Sequence, residues 1–148
     1  MLFIIIHQTY ELWFKQIIFE LESIQKILSS DMVHESQISI IVSRLTRVIE
    51  IFKILNGQVS VLETMTPHDF LEFRNLLYPA SGFQSGQFRK IENMLGLEDD
   101  ERIKFSNKDY KDFLAPKDKK ILDQNDCNSI FSLIDNWLSR TPFLDSKE

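Results

Sequence analysis

The chain has 148 residues, a net charge of −5, 43% hydrophobic and 26% charged residues, and a single Cys. That length makes one ordinary domain with a real core, and the apolar share excludes a disordered chain. One Cys excludes an internal disulfide framework and a thiolate-built zinc site and points to a reducing compartment, while mild acidity without a dense Lys/Arg tract offers no field for nucleic acid. Four Gly, four Pro and long apolar periodicity point to an all-α protein.

The start, Met1-Leu2-Phe3-Ile4-Ile5-Ile6, has the look of a signal-peptide core. No basic residue precedes it, and His7-Gln8 interrupts it without a small-residue cleavage site. It is far short of the roughly 20 residues that span a membrane. It reads instead as the first turns of a buried helix without a Ser, Thr, Asp or Asn cap, an expectation that the natural beginning is absent. The stripe Phe3, His7, Tyr10, Phe14, Ile17, Leu21, Ile24, Leu28 steps by four and three, so one helix is predicted to end near Ser29-Ser30-Asp31. A second stripe, Ile38, Ile41, Leu45, Val48, Phe52, Leu55, Val59, Leu62, predicts a second long helix with a weak point at Asn56-Gly57. The short connection makes the two antiparallel neighbours in a bundle.

Thr66-Pro67-His68-Asp69 is a helix start: Thr66 caps, Pro67 takes the first helical position, and Asp69 suits the positive end of the dipole. That helix carries Phe70, Phe73, Arg74 and Leu77 and stops before Pro79. After the loop Tyr78-Pro79-Ala80-Ser81-Gly82, a helix is expected from Phe83 to Leu95, with Phe88, Ile91 and Leu95 inward and Gly96 as terminator. A short helix from Ser106 to Leu114 and a last one from about Asp126 to Ser139 complete the reading.

Two polar residues interrupt apolar faces. His7 is either a core histidine bonded to a backbone carbonyl or carboxylate, or a hydrogen-bonding and acid–base group on a pocket wall. Arg74 sits one turn after Phe70, and a buried guanidinium must be paired. Its partner is either an internal acid such as Glu63 or Glu72, or a ligand carboxylate held bidentate. Cys127 reads as a small buried hydrophobe, and His34 and His68 as solvated. The three His have no metal-ligand spacing, so no metal site is expected on them. From the residues alone the result is a helical domain whose pocket would suit a flat apolar ligand with a carboxylate, and no reaction.

Several segments carry a specific resemblance. Phe3-Ile4-Ile5-Ile6-His7-Gln8-Thr9-Tyr10-Glu11-Leu12-Trp13-Phe14-Lys15 resembles the opening core helix of tryptophan 2,3-dioxygenases. So do Val61-Leu62-Glu63-Thr64-Met65-Thr66-Pro67, then Phe70-Leu71-Glu72-Phe73-Arg74, then Pro79-Ala80-Ser81-Gly82-Phe83-Gln84-Ser85 with Gln87-Phe88-Arg89. The tail from Asp135 to Pro142 is also similar. The resemblance implies an all-helical, tryptophan/indoleamine dioxygenase-like fold, a cytoplasmic haem-containing homotetramer, and insertion of dioxygen across the indole C2–C3 bond of L-tryptophan to give N-formylkynurenine. It implies that His7 bonds the indole N–H, Arg74 pairs with the substrate carboxylate and Phe3 packs on the indole. The run Phe3, Ile4, Ile5, Ile6, His7 would line the pocket. Phe70 falls where many members have Tyr, removing one hydroxyl contact to the carboxylate. Ser81 and Gly82 would lie beside the haem.

The family's proximal haem histidine lies in a later helix, and neither His34 nor His68 matches it. Residues 1–148 are therefore expected to form a single helical domain corresponding to the first half of such an enzyme, inactive alone. It would act as part of a homo-oligomer or beside a separate C-terminal partner chain. The competing expectation is a non-catalytic oligomerisation module that binds no haem.

Overall fold

The computed structural model describes residues 1–77, 84–98, 101–102 and 128–140, with the single positions 111, 114, 116, 119 and 122. Its helices are α1 (Leu2–Leu28), α2 (Glu35–Glu63), α3 (Pro67–Leu77), α4 (Gly86–Leu95) and α5 (Ile130–Arg140). Among the described residues there is no strand, and the fold is all-α.

α1 is the central element. Its second half buries Ile17, Leu21, Ile24 and Leu28 against α2, α4 and α5. The helix has no side-chain cap at Met1 and closes where the Ser29 N–H donates to the carbonyl of Gln25 and the Ser30 N–H to that of Ile27. Arg140 reaches back to the same end and donates to the carbonyls of Leu28 at 3.2 Å and Ser30 at 2.7 Å. These are acceptors that a helix end otherwise leaves without a partner.

α1 and α2 run antiparallel, as expected: Tyr10 meets Leu55, whereas Glu20 meets Arg44 and Arg47. Glu20 is 1% exposed inside this seam. Arg44 Nη1 donates to its Oε2 at 2.6 Å, Arg47 Nη1 to its Oε1 at 2.7 Å, and Gln16 Nε2 to its Oε1 at 2.7 Å. Burial alone would raise this carboxyl, but the bonds from Arg47, Arg44 and Gln16, with the charge of Arg47, outweigh it and hold it below the ordinary glutamate value.

Several details differ from the sequence expectation. Asn56-Gly57 makes no break: α2 continues through it, since burial of Leu55 on the preceding turn outweighs the roughly 1 kcal/mol that a helical Gly costs. Val59 is 46% exposed, because the inward face of α2 steps from buried Leu55 to half-buried Gln58 and Leu62 and leaves Val59 on the outer side. Ile51, off the predicted stripe, is buried instead, since a core-facing stripe is wider than one residue per turn.

α4 opens at Gly86 rather than Phe83 because the Ser85 hydroxyl accepts the Phe88 N–H at 3.1 Å and fixes the cap there. It buries Met94 in place of the expected Leu95. Gly96 ends it at φ +99°, its N–H shared by the Glu92 and Asn93 carbonyls. A Cβ there would meet Ser129 Oγ at 2.8 Å. α5 starts at Ile130 rather than Asp126, because the Ser129 hydroxyl accepts the Ser132 N–H and sets the cap. The expected helix from Ser106 falls largely outside the described residues, as do Cys127, Ser81 and Gly82. No helix among the described residues is long and apolar enough to cross a membrane.

Candidate functional site

The first half of α1, α3 and the start of α4 enclose a cleft of about 1190 Å³. One long wall is aromatic. Phe3 lies 5.6 Å from Phe70 and 5.8 Å from Phe73, centroid to centroid. The row continues along α1, with Phe3 4.1 Å from the His7 ring, His7 edge-on to Tyr10 at 6.4 Å, and Tyr10 6.1 Å from Phe14. Phe88 of α4 closes it, 5.3 Å from Phe14. The 3- and 4-residue steps of α1 put these rings on one face, and centroid spacings of this size are those of attractive tilted pairs.

His7 stands in the middle of that wall, half-buried. Its Nδ1 lies 2.7 Å from the carbonyl oxygen of Phe3. A carbonyl only accepts, so Nδ1 carries a hydrogen, and in the neutral ring Nε2 is left with the lone pair. Both sequence readings of His7 therefore describe the same residue: it satisfies one nitrogen on the backbone and lines a cavity.

Arg74 does not follow its sequence expectation. It is exposed rather than buried, on the rim of the cleft, one turn beyond Phe70. Neither Glu63 nor Glu72 pairs with it, and it has no ion-pair or hydrogen-bond partner among the described residues. The physical reason is that α3 is short and touches α1 through the Phe3, Phe70 and Phe73 rings, which leaves the Arg74 edge open to solvent. α3 is fixed at its start by a reciprocal cap. Asp69 Oδ2 accepts from the Thr66 hydroxyl at 2.6 Å and the Thr66 N–H at 3.0 Å, and the Asp69 N–H donates back to Thr66 Oγ1. The bonds from the Thr66 hydroxyl and N–H hold the Asp69 carboxyl below its ordinary value.

The run from Phe3 to His7 is not uniformly part of the wall. Phe3, Ile4 and His7 line the cleft. Ile5 is exposed away from it, and Ile6 turns into the core. A five-residue run on a helix covers all its faces, so only some can share one cavity. Ser81 and Gly82 lie outside the described residues.

The structure adds polar residues that sequence reasoning did not single out. Gln87 Nε2 donates to both the backbone carbonyl and Oε2 of Glu11, at 3.0 and 2.7 Å, tying α4 to α1 along the cleft. Lys15, one turn after Glu11, is the second cation on the wall. Gln87 and Glu11 both fall within quoted motifs, and that was their only signal. His34 caps the start of α2 and His68 is exposed on α3, and neither lines the cleft. Among the described residues no three His, Cys, Asp or Glu side chains are placed to hold a metal ion.

The motifs agree with the comparison to known proteins. The family model described as tryptophan 2,3-dioxygenase matches residues 1–148. The chain belongs to the tryptophan 2,3-dioxygenase family. It is 54% identical over 145 residues to the tryptophan 2,3-dioxygenase of Dictyostelium discoideum, covering 97% of this chain and 36% of that protein. The Bdellovibrio bacteriovorus enzyme of the same name is 48% identical over 148 residues, covering 99% of this chain and 41% of the relative. That of Alteromonas mediterranea is 45% identical, again over 41% of the relative. The chain thus spans well under half the length of the relatives it matches.

Proposed function

We propose that this chain forms the substrate-binding face of a haem-dependent tryptophan 2,3-dioxygenase, in which L-tryptophan is cleaved across the indole C2–C3 bond by dioxygen to N-formylkynurenine, the entry to the kynurenine pathway. The observation that carries the reading is the coincidence, in one cleft, of a flat aromatic wall, an imidazole whose Nε2 has no partner among the described residues, and a cation that likewise has none among them. The indole ring would pack on Phe3 and Phe70, its N–H donating to His7 Nε2, and its carboxylate pairing with Arg74. The Phe3 carbonyl keeps His7 in the tautomer that accepts this bond. Phe70 offers the carboxylate no hydroxyl, so Arg74 bears that recognition. Holding a substrate at both ends aligns it for reaction, and the aromatic wall excludes water from the indole.

When bound, haem iron supplies the dioxygen chemistry. The described residues fit the substrate side of that group: an apolar wall with one imidazole on it. They do not supply its proximal ligand, since His34 and His68 lie away from the cleft. A homo-oligomer and a cytoplasmic setting belong to the same reading. They are supported by exposed apolar side chains such as Leu12 and Phe131 and by the single Cys.

Calorimetric titration with L-tryptophan and with tryptamine, which lacks the carboxylate, tests the reading, with haem present and absent. Arg74→Gln is expected to weaken L-tryptophan roughly tenfold, the worth of a solvent-exposed charge-assisted pair, and to leave tryptamine unchanged. Equal losses for both ligands, or none for either, would refute the assignment of Arg74.

A further inference from the structure

Three hydrogen bonds join α1 to α2 among the described residues, and two of them end on Glu20. Glu20 lies 13 residues beyond His7, about 20 Å along the helix at 1.5 Å per residue. The third is the Tyr10 hydroxyl, which donates to the Leu55 carbonyl at 2.7 Å from a position one turn after His7. Leu55 lies inside α2, where its carbonyl already serves the helix ladder, so the tyrosine takes that oxygen's second lone pair. α2 itself does not line the cleft. Tyr10 is therefore the polar link between the buried seam of the bundle and the turn that presents His7.

The ring of Tyr10 completes the link. It stands edge-on to His7 at 6.4 Å and packs on Phe14 at 6.1 Å, while Phe3 covers the other side of the imidazole at 4.1 Å. His7 is thus held by one hydrogen bond and two rings, and one of those rings is pinned by its hydroxyl. Burial pushes the Tyr10 phenol up, so it remains a donor across the neutral range.

Resting on the proposed reading of the cleft, we infer that Tyr10 is a positioning residue: its bond to the Leu55 carbonyl fixes the His7 imidazole so that Nδ1 stays on the Phe3 carbonyl and Nε2 stays presented to the ligand. It contributes no contact to the reacting atoms and acts through His7.

Tyr10→Phe removes one oxygen and keeps the ring and its packing on Phe14. In the full chain, nitrogen NMR of the His7 ring, above the ordinary histidine titration range, reads the tautomer directly. Wild type is expected to show the separated signals of an Nδ1–H imidazole, and Tyr10→Phe to move them toward the average of two exchanging tautomers. L-tryptophan should bind the variant roughly three- to tenfold more weakly, the worth of one lost hydrogen bond. Arg140→Ala is the comparison: it loosens the far end of α1 by two hydrogen bonds and should move neither reading. His7 signals unchanged in Tyr10→Phe, or shifted as far by Arg140→Ala, would overturn the inference. Failure of the wild-type chain to bind L-tryptophan would overturn the reading of the cleft instead, and the tautomer comparison would still decide the role of Tyr10.

Discussion

From Ile17 to Leu28, α1 is covered by three other helices, and Ile17, Leu21 and Ile24 lose all contact with solvent. From Leu2 to Phe14 the same helix buries only Ile6 and Phe14 and leaves Leu2, Ile4, Ile5 and Leu12 exposed. One continuous apolar stripe therefore serves two purposes. Where it is aliphatic it makes core, and where it turns aromatic it lines a cavity. The polar residues divide in the same way. Glu20 in the second half has every oxygen occupied by a partner, whereas one nitrogen of His7 in the first half has none among the described residues. Stability resides in the saturated half, and the proposed recognition falls on the unsaturated one, as expected if binding requires groups that folding has left unmet.

Substitutions can break or sharpen this division. Leu21→Ala, at the centre of the covered half, should cost about 2–5 kcal/mol in denaturant unfolding, the range for a cavity in a close-packed core. Phe3→Ala in the open half should cost only about 1–2 kcal/mol while removing the stacking wall. Equal costs for the two would dissolve the division.

Glu20→Gln comes next, at about 2–4 kcal/mol near neutral pH. The charge it removes leaves two arginines facing each other, and the partial exposure of Arg47 softens the loss. The sign with pH follows from the direction of the shift. The Glu20 carboxyl titrates lower in the folded chain than in the unfolded one. Its contribution is therefore fully present above the ordinary glutamate value and is lost as pH falls through that value toward the folded one. Unfolding midpoints measured across the acid range should fall more steeply for wild type than for Glu20→Gln.

Gly96→Ala should cost about 1–3 kcal/mol, because the positive φ strains an L side chain and the new methyl meets Ser129. The smallest change in stability belongs to Arg74→Gln, under about 0.5 kcal/mol, since the side chain is exposed and has no partner among the described residues. Thermal melts of that variant should overlay wild type even as its affinity for L-tryptophan drops.

How much of this was readable beforehand follows the same division. The two long helices, their antiparallel pairing and the Thr66 start are local or periodic features, and periodicity is visible in a single sequence. Glu20 was not: an acid off the predicted stripe reads as solvated until Arg44 and Arg47, 24 and 27 residues away, are brought to it. His7 stood out because it interrupts a run of rings. The exposure of Arg74 depends on how α3 rests on Phe3, a tertiary fact that spacing within α3 does not contain. The start of α4 was not legible because a single hydroxyl, that of Ser85, fixes it by accepting the Phe88 N–H.

The Arg140 contacts bear on how the chain assembles. They span 110 and 112 residues, whereas Glu20 meets Arg44 across only 24. Loop-closure entropy grows with the logarithm of that separation, so the longer closure costs about 1.4 kcal/mol more than the shorter one. The last turn of α1 is therefore finished by the contact that is entropically most expensive, made by a residue synthesised long after it. The hairpin of α1 and α2 can close on Glu20 much earlier, and the end of its first helix waits for the far end of the chain.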